Sequence, residues 1–129
     1  MGKKKILIVE DEILVAICLR NILERMGYEV SNPVTSGEEA VLEIDKDRPD
    51  IIIMDISLKG RMTGIETAKI IHSKICIPII FISGYRKEDI QAEITPQITY
   101  LSKPFNPEIL KPTIESLLLQ DCSTSQQKQ

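Results

Sequence analysis

The sequence predicts an α/β fold, a five-stranded parallel sheet with five helices distributed over both faces. Three observations carry this. Short unbroken apolar runs at residues 6–9, 51–54 and 78–82 fit strands buried on both faces, the kind found in parallel sheets. Between them lie segments whose apolar residues recur at three- and four-residue steps, the helical period. The two patterns alternate along the chain, and strict alternation implies parallel strands joined by right-handed helical crossovers. With 129 residues, 43% of them hydrophobic and 27% charged, the chain has the size and composition of one domain with a real core.

Lys3, Lys4 and Lys5 lead into the first strand, where charges keep a sticky edge soluble. Glu10-Asp11-Glu12 follow at once. The first helix is expected to carry Val15, Cys18, Leu19, Ile22, Leu23 and Met26 inward and to close at Gly27. Ile13, Leu14 and Ile17 lie off that stripe, as an exposed contact patch or as part of a wider buried face. Residues 28–30 read as a short second strand. Thr35 and Ser36 offer caps for a helix that carries Ala40, Val41 and Ile44 and runs to about Lys46. A turn at Arg48-Pro49-Asp50 precedes the third strand, which ends in Asp55. Thr63 caps the next helix, with Ile65, Ala68 and Ile71 inward. The fourth strand ends in Ser83-Gly84, and a short fourth helix is expected around residues 88–93. The fifth strand, 97–101, leads to Ser102-Lys103-Pro104-Phe105. Asn106 caps the last helix, Pro107 suits its first position, and Leu110, Ile114, Leu117 and Leu118 form its inner face. Pro112 removes one hydrogen bond from that helix. The domain spans 1–120, and 121–129 is a frayed tail. Five strands with these crossovers take the flavodoxin-like (βα)5 order 2-1-3-4-5 as the common solution.

Open α/β sheets carry their chemistry outside the carboxyl ends of the strands. Glu10 and Asp11 end the first strand, Asp55 the third and Ser83 the fourth; Lys103 follows the fifth. Any one of these residues has a plainer use: Asp11 would serve as a helix cap, and Ser-Gly as a turn. All five at one edge is a different matter. Clustered carboxylates repel unless a cation joins them, and carboxylates with water suit Mg2+, which favours sites where phosphate oxygens complete its shell. Asp55 would then act as a nucleophile and form an acyl phosphate. The metal and Lys103 would neutralise the transferring group, and the Ser83 hydroxyl would donate to it. Tyr100 reads as a partly buried strand aromatic.

The remaining features exclude more than they assign. A net charge of −3 argues against direct nucleic-acid contact. No apolar run approaches the ~20 residues of a membrane span or forms a signal peptide, so no membrane insertion and a cytoplasmic location are expected. Cys18, Cys76 and Cys122 show no CxxC spacing, which argues against a disulfide frame or zinc site. The single histidine, His72, reads as a surface residue at a helix end.

Taken together, the motifs Ile-Leu-Ile-Val-Glu10-Asp11-Glu12, Ile-Ile-Met-Asp55, Ser83 after the fourth strand and Tyr100-Leu-Ser-Lys103-Pro104-Phe105 make the chain resemble the response-regulator receiver domain of two-component (phosphorelay) signalling over residues 4–119. The resemblance implies that Asp55 accepts a phosphoryl group from a sensor histidine kinase or phosphotransfer protein. It implies Asp11 as direct Mg2+ ligand, Glu10 as its water-mediated partner, and the Ser57 backbone carbonyl as a further ligand. It casts Lys103 as the phosphate-contacting lysine and Ser83 and Tyr100 as a switch pair. The fourth helix, fifth strand and fifth helix would face a downstream protein partner, and phosphorylation would offer a route to a homodimer. The expected product is a stand-alone receiver, not an enzyme beyond its own phosphorylation and dephosphorylation. Two other classes compete. A flavodoxin-like cofactor-binding module would need a Ser/Thr/Gly-rich loop where Glu10-Asp11-Glu12 stand. An Asp-nucleophile phosphatase would need its nucleophile and a second Asp at the end of the first strand, and a cap over the site.

Overall fold

The computed structural model describes residues 2–58, 60–84, 98–103 and 106–120. The elements follow in the order β1 (Lys5–Val9), α1 (Ile13–Arg25), β2 (Glu29–Val30), α2 (Gly37–Lys46), β3 (Ile51–Asp55), α3 (Gly64–Lys74), β4 (Ile79–Ser83), β5 (Ile98–Ser102) and α4 (Pro107–Leu118). The strands form one parallel sheet in the order β2-β1-β3-β4-β5, as expected. Four helices are present among the described residues; the fifth one expected, around residues 88–93, lies outside them, as do the expected tail and Pro104-Phe105.

The sheet is buried on both sides because its central strands carry apolar residues at every position. Leu7, Val9, Ile52, Met54 and Phe81 pack with Ala40, Ile44, Ala68 and Ile71 of α2 and α3. Ile6, Ile8, Ile53 and Ile80 pack with Leu19, Leu23, Leu110 and Ile114 of α1 and α4. Full burial of one such side chain stabilises the fold by ~1.5–3 kcal/mol, so these strands are a main source of its stability.

The caps form largely as the sequence prescribes. Ser36 Oγ accepts from Glu39 N–H at 3.1 Å. Thr63 and Glu66 make a reciprocal capping box, at 3.0 and 2.9 Å. Asn106 Oδ1 accepts from Glu108 N–H at 2.9 Å, with Pro107 opening α4. The helix runs on through Pro112. Gly27 follows α1 with φ +98°, a left-handed conformation that favours glycine.

Two readings are corrected and one open alternative is decided. The buried stripe of α1 is Ala16, Leu19 and Leu23; Cys18 faces outward and is free. A three-four period fits both phases of this helix, and the outward apolar residues obscured the choice. Ile13, Leu14 and Ile17 are 65%, 78% and 48% exposed, which rules out the wider buried face. Finally, Cys76 is disulfide-bonded, because a fold can join cysteines that no short spacing would pair.

Two helices approach their neighbours through glycine. A Cβ on Gly37 would collide with the buried Thr67 side chain of α3, so α2 and α3 touch closely there. A Cβ on Gly64 would lie 2.9 Å from the Asp55 carbonyl oxygen and 3.0 Å from Ile56 Cα. The start of α3 is thus held directly against the segment that presents Asp55.

Candidate functional site

The register brings the polar residues together. Val9 pairs with Met54, so Glu10 and Asp55 leave neighbouring strands side by side. Asp55 pairs with Ile82, placing the buried Ser83 one step further along β4. Lys103 N–H donates to the Ser83 carbonyl at 2.7 Å, which ties the end of β5 to that of β4.

Carboxylate oxygens of Glu10, Asp11 and Asp55 all lie within 4.8 Å of one another. Glu10 and Asp55 are each only 4% exposed. Asp55 Oδ1 accepts from both the N–H and the hydroxyl of Ser57, each at 2.9 Å. Its Oδ2 accepts from Lys103 Nζ at 3.2 Å, and the same ammonium stands 3.6 Å from Glu10 Oε1. Glu10 Oε2 accepts from Glu12 N–H at 3.1 Å. The cap position of α1 is Glu12, with no side-chain cap bond, so Asp11 is not the cap that its position after a strand allowed.

These contacts separate the acids electrostatically. Burial works to raise Asp55, but the two Ser57 bonds and the Lys103 ammonium outweigh it and hold its carboxyl below the usual range. Asp55 is therefore ionised at neutral pH. For Glu10, burial dominates and the charge on Asp55 adds to it, while the Glu12 N–H and Lys103 oppose; its carboxyl is pushed up to about 7. Burial lowers Lys103, but its bond to Asp55 and the charges on Asp55 and Glu10 leave it raised, so it stays cationic.

The donor set fits a small hard cation. Three carboxylates converge, and the Lys103 ammonium pairs with two of them, Glu10 and Asp55. A second cation would ease the cost of ionising Glu10 in this site.

A pH dependence follows. An acid raised on folding contributes stability that is fully present below its unfolded pKa and is lost as pH rises through its folded value. Metal-free protein is expected to lose thermal stability between about pH 4.5 and about pH 7, the range over which Glu10 is ionised when unfolded but still protonated when folded, with its carboxyl at about 7. Mg2+ is expected to restore more of it at the upper end than at the lower. Melting curves in chelator and in Mg2+ check this, and a metal-free profile that is flat or rises with pH contradicts it. The lowered Asp55 acts in the opposite sense, but below this window.

Tyr100 stacks on Phe81 with ring centroids 5.4 Å apart. Its hydroxyl is buried and finds no hydrogen-bond partner among the described residues. It is the partly buried strand aromatic that the sequence suggests and makes no direct bond to the acids. Ser57 joins the site through its N–H and hydroxyl, two roles that sequence reading missed. An Asx turn, in which a carboxylate bonds the N–H two residues on, was the available signal. Gly64 was also missed, because a close backbone approach leaves no local trace.

Residues 6–115 match the family model described as response regulator receiver domain. The chain is 35% identical over 114 residues to the transcriptional regulatory protein PdtaR of Mycobacterium tuberculosis, covering 87% of this chain and 55% of that protein. It is 30% identical over 115 residues to the phyllosphere-induced regulator PhyR of Methylorubrum extorquens, covering 88% and 43%. The chain thus spans about half the length of these curated relatives. Among solved structures, the receiver domain of Erythrobacter litoralis PhyR superposes with a TM-score of 0.82 at 25% identity, covering 94% of this chain and 95% of that one. The signal receiver domain of a modulated diguanylate cyclase from Desulfovibrio desulfuricans gives 0.77 at 35% identity, covering 91% and 94%.

Proposed function

The chain belongs to the response regulator receiver family, and from that premise we propose that it is a phosphoacceptor signalling module whose Asp55 takes a phosphoryl group. The observation that carries this is the environment of Asp55: buried, held ionised, fixed by two bonds from Ser57 and faced by Lys103. A carboxylate so placed is a preorganised nucleophile, since no donor has to move far as charge develops. One of its oxygens attacks phosphorus and forms an O–P bond. The bond from phosphorus to the donor breaks, and a histidine donor recovers a proton on its imidazole nitrogen. Lys103 and the Ser57 donors stabilise the transferring oxygens. Glu10, Asp11, Asp55 and the Ser57 carbonyl would hold Mg2+, which would supply further charge neutralisation there.

The donor in this reading is a sensor histidine kinase or phosphotransfer protein. The exposed Ile13, Leu14 and Ile17 support it, since they form an apolar patch on the first turns of α1, directly after Glu10-Asp11-Glu12. A protein donor has to seat itself beside that edge. Ser83 and Tyr100 would carry the new state toward a downstream protein on the face that includes β5 and α4, a population shift driven by contacts to the phosphoryl group. Homodimerisation is one form that output can take. The reading places the protein in the cytoplasm and gives it no enzymatic activity beyond its own phosphorylation and dephosphorylation. Among the described residues no helix is long and apolar enough to cross a membrane. The cofactor-module alternative is not favoured: Glu10 and Asp11 follow β1 and would repel a phosphate.

Incubation with acetyl phosphate and Mg2+ tests the reading. Intact mass is expected to rise by one phosphoryl group, and hydroxylamine is expected to remove it. Asp55→Asn is expected to show no adduct. An unmodified wild type, or an equal adduct on the variant, would sink the proposal.

A further inference from the structure

Helix α1 carries two apolar stripes. Ala16, Leu19 and Leu23 face the sheet. Ile13, Leu14 and Ile17 are exposed, and a turn of about 100° per residue sets them on the side opposite the buried three. Cys18, Asn21 and Arg25 continue that exposed side to the end of the helix. Three large apolar residues in one contiguous patch mark a contact surface, where single ones would not. The charges at its two ends say what covers it. Asp11 and Glu12 stand at the amino end, beside the acid cluster, and Glu12 is exposed. Arg25 is exposed in the last turn. Arg20 and Glu24 pair with each other at 3.5 Å and so add no net charge. The surface thus reads acidic, apolar, basic along the ~20 Å of α1. A surface in that order is complementary to a copy of itself running the other way, and the backbone dipoles of two antiparallel helices oppose as well. A parallel pair would set acid against acid and arginine against arginine.

We propose that unphosphorylated copies of this chain associate as a symmetric dimer through antiparallel α1 helices. The interface is isologous, so every contact is made twice across the twofold axis. Setting Arg25 of each copy beside Asp11 and Glu12 of the other puts that axis near residue 18, midway along α1. Ile17 and Cys18 then lie within ~2 Å of the axis, measured along the helix, and Leu14 packs beyond them over Asn21 and the stem of Arg25. A contact one short helix long buries less than the ~800 Å² per partner of a standard complex, so the dimer is weak and its population follows concentration. Weak association suits a reversible cover. In the function proposed above the same patch seats a protein donor. Resting on that reading, dimer and donor exclude each other, and assembly withholds Asp55 from a protein donor. The surface does not include β5, so it is distinct from the face offered to a downstream partner.

Sedimentation velocity of the full chain, in chelator and from micromolar to near-millimolar concentration, tests this. A monomer–dimer equilibrium is expected, shifting toward monomer as salt rises. Ile17→Glu is expected to weaken association at least ~10-fold, because it places a carboxylate beside the axis on each copy. Arg25→Glu is expected to weaken it roughly threefold to tenfold, since the symmetry repeats each lost ion pair. Leu42→Glu, which changes a leucine 61% exposed on α2, is expected to leave it unchanged. Cys18 is free and exposed, and paired helices lie ~8–10 Å apart, so a short bismaleimide is expected to join Cys18 of one copy to Cys18 of the other. Cys18→Ser is expected to lose that link. The wild-type measurements involve no substitution, so a variant that folds poorly does not blunt them. None of these readouts involves phosphoryl transfer, so failure of the dimer is told apart from failure of Asp55 to accept a phosphoryl group. A monomer at every concentration, which would leave the patch to the donor alone, would overturn the proposal. So would a dimer indifferent to Ile17→Glu, one weakened equally by Leu42→Glu, or one without the Cys18 link.

Discussion

Lys103→Ala is expected to slow phosphorylation of Asp55 by acetyl phosphate by roughly 10²–10³-fold, the usual loss when one preorganised charge-stabilising donor is removed. The reason lies in where the Lys103 ammonium stands. Lys103 Nζ lies 3.2 Å from Asp55 Oδ2 and 3.6 Å from Glu10 Oε1, so one ammonium serves both acids. Charge on the transferring phosphoryl group would develop beside Asp55, within reach of the same ammonium. Its loss also removes an influence that holds Asp55 ionised. Saturating Mg2+ is expected to recover only part of the rate, because the metal would bind the acids rather than replace a donor extended from β5. The apparent first-order rate of adduct formation, followed by intact mass, measures this. A variant within twofold of wild type would remove Lys103 from the account.

Gly64→Ala is expected to destabilise the fold by about 1–3 kcal/mol and to slow phosphorylation as well. The added methyl would stand 2.9 Å from the Asp55 carbonyl oxygen, 3.0 Å from Ile56 Cα and 3.1 Å from the Ile56 carbonyl oxygen. All three are backbone atoms, so no side chain can rotate aside. Either α3 withdraws from the sheet or the Asp55–Ile56 backbone shifts, and either movement disturbs the Ser57 bonds that fix the carboxylate. Gly84→Ala is the matched control. Its Cβ would meet nothing within 4 Å among the described residues, and Gly84 has no positive φ, so a change within about 0.5 kcal/mol is expected. Urea unfolding of both variants settles the comparison. Equal midpoints for the two would show that the close approach at Gly64 carries no cost.

The contrast between these glycines shows where sequence reading stops. Asp55, Glu10 and Asp11 were legible because an apolar strand ending in acid is a local pattern, and the strand order follows from a small set of allowed crossovers. The caps at Ser36, Thr63 and Asn106 were legible for the same reason, since each bonds an N–H two or three residues away. Gly64 and Gly37 look like any other glycine at the start of a helix; what sets them apart is a neighbour outside their own helix. The phase of α1 failed for a related cause. Ile13, Leu14 and Ile17 are as apolar as the core, and no periodicity separates apolar residues left outside from those packed inside. Ser57 fell between these cases. Its backbone carbonyl was assigned through family resemblance, while its N–H and hydroxyl bonds to Asp55 became visible only in the folded loop.

The central claim is that Asp55, and no other carboxylate of the cluster, carries the phosphoryl group. Borohydride reduces an acyl phosphate to the alcohol, so it converts a phosphorylated aspartate to homoserine. After incubation with Mg2+ and acetyl phosphate, reduction followed by peptide sequencing in the mass spectrometer is expected to place homoserine at position 55 alone. Homoserine at Asp11, a reduced product derived from Glu10, or no reduced residue in protein that carries the adduct would contradict the account.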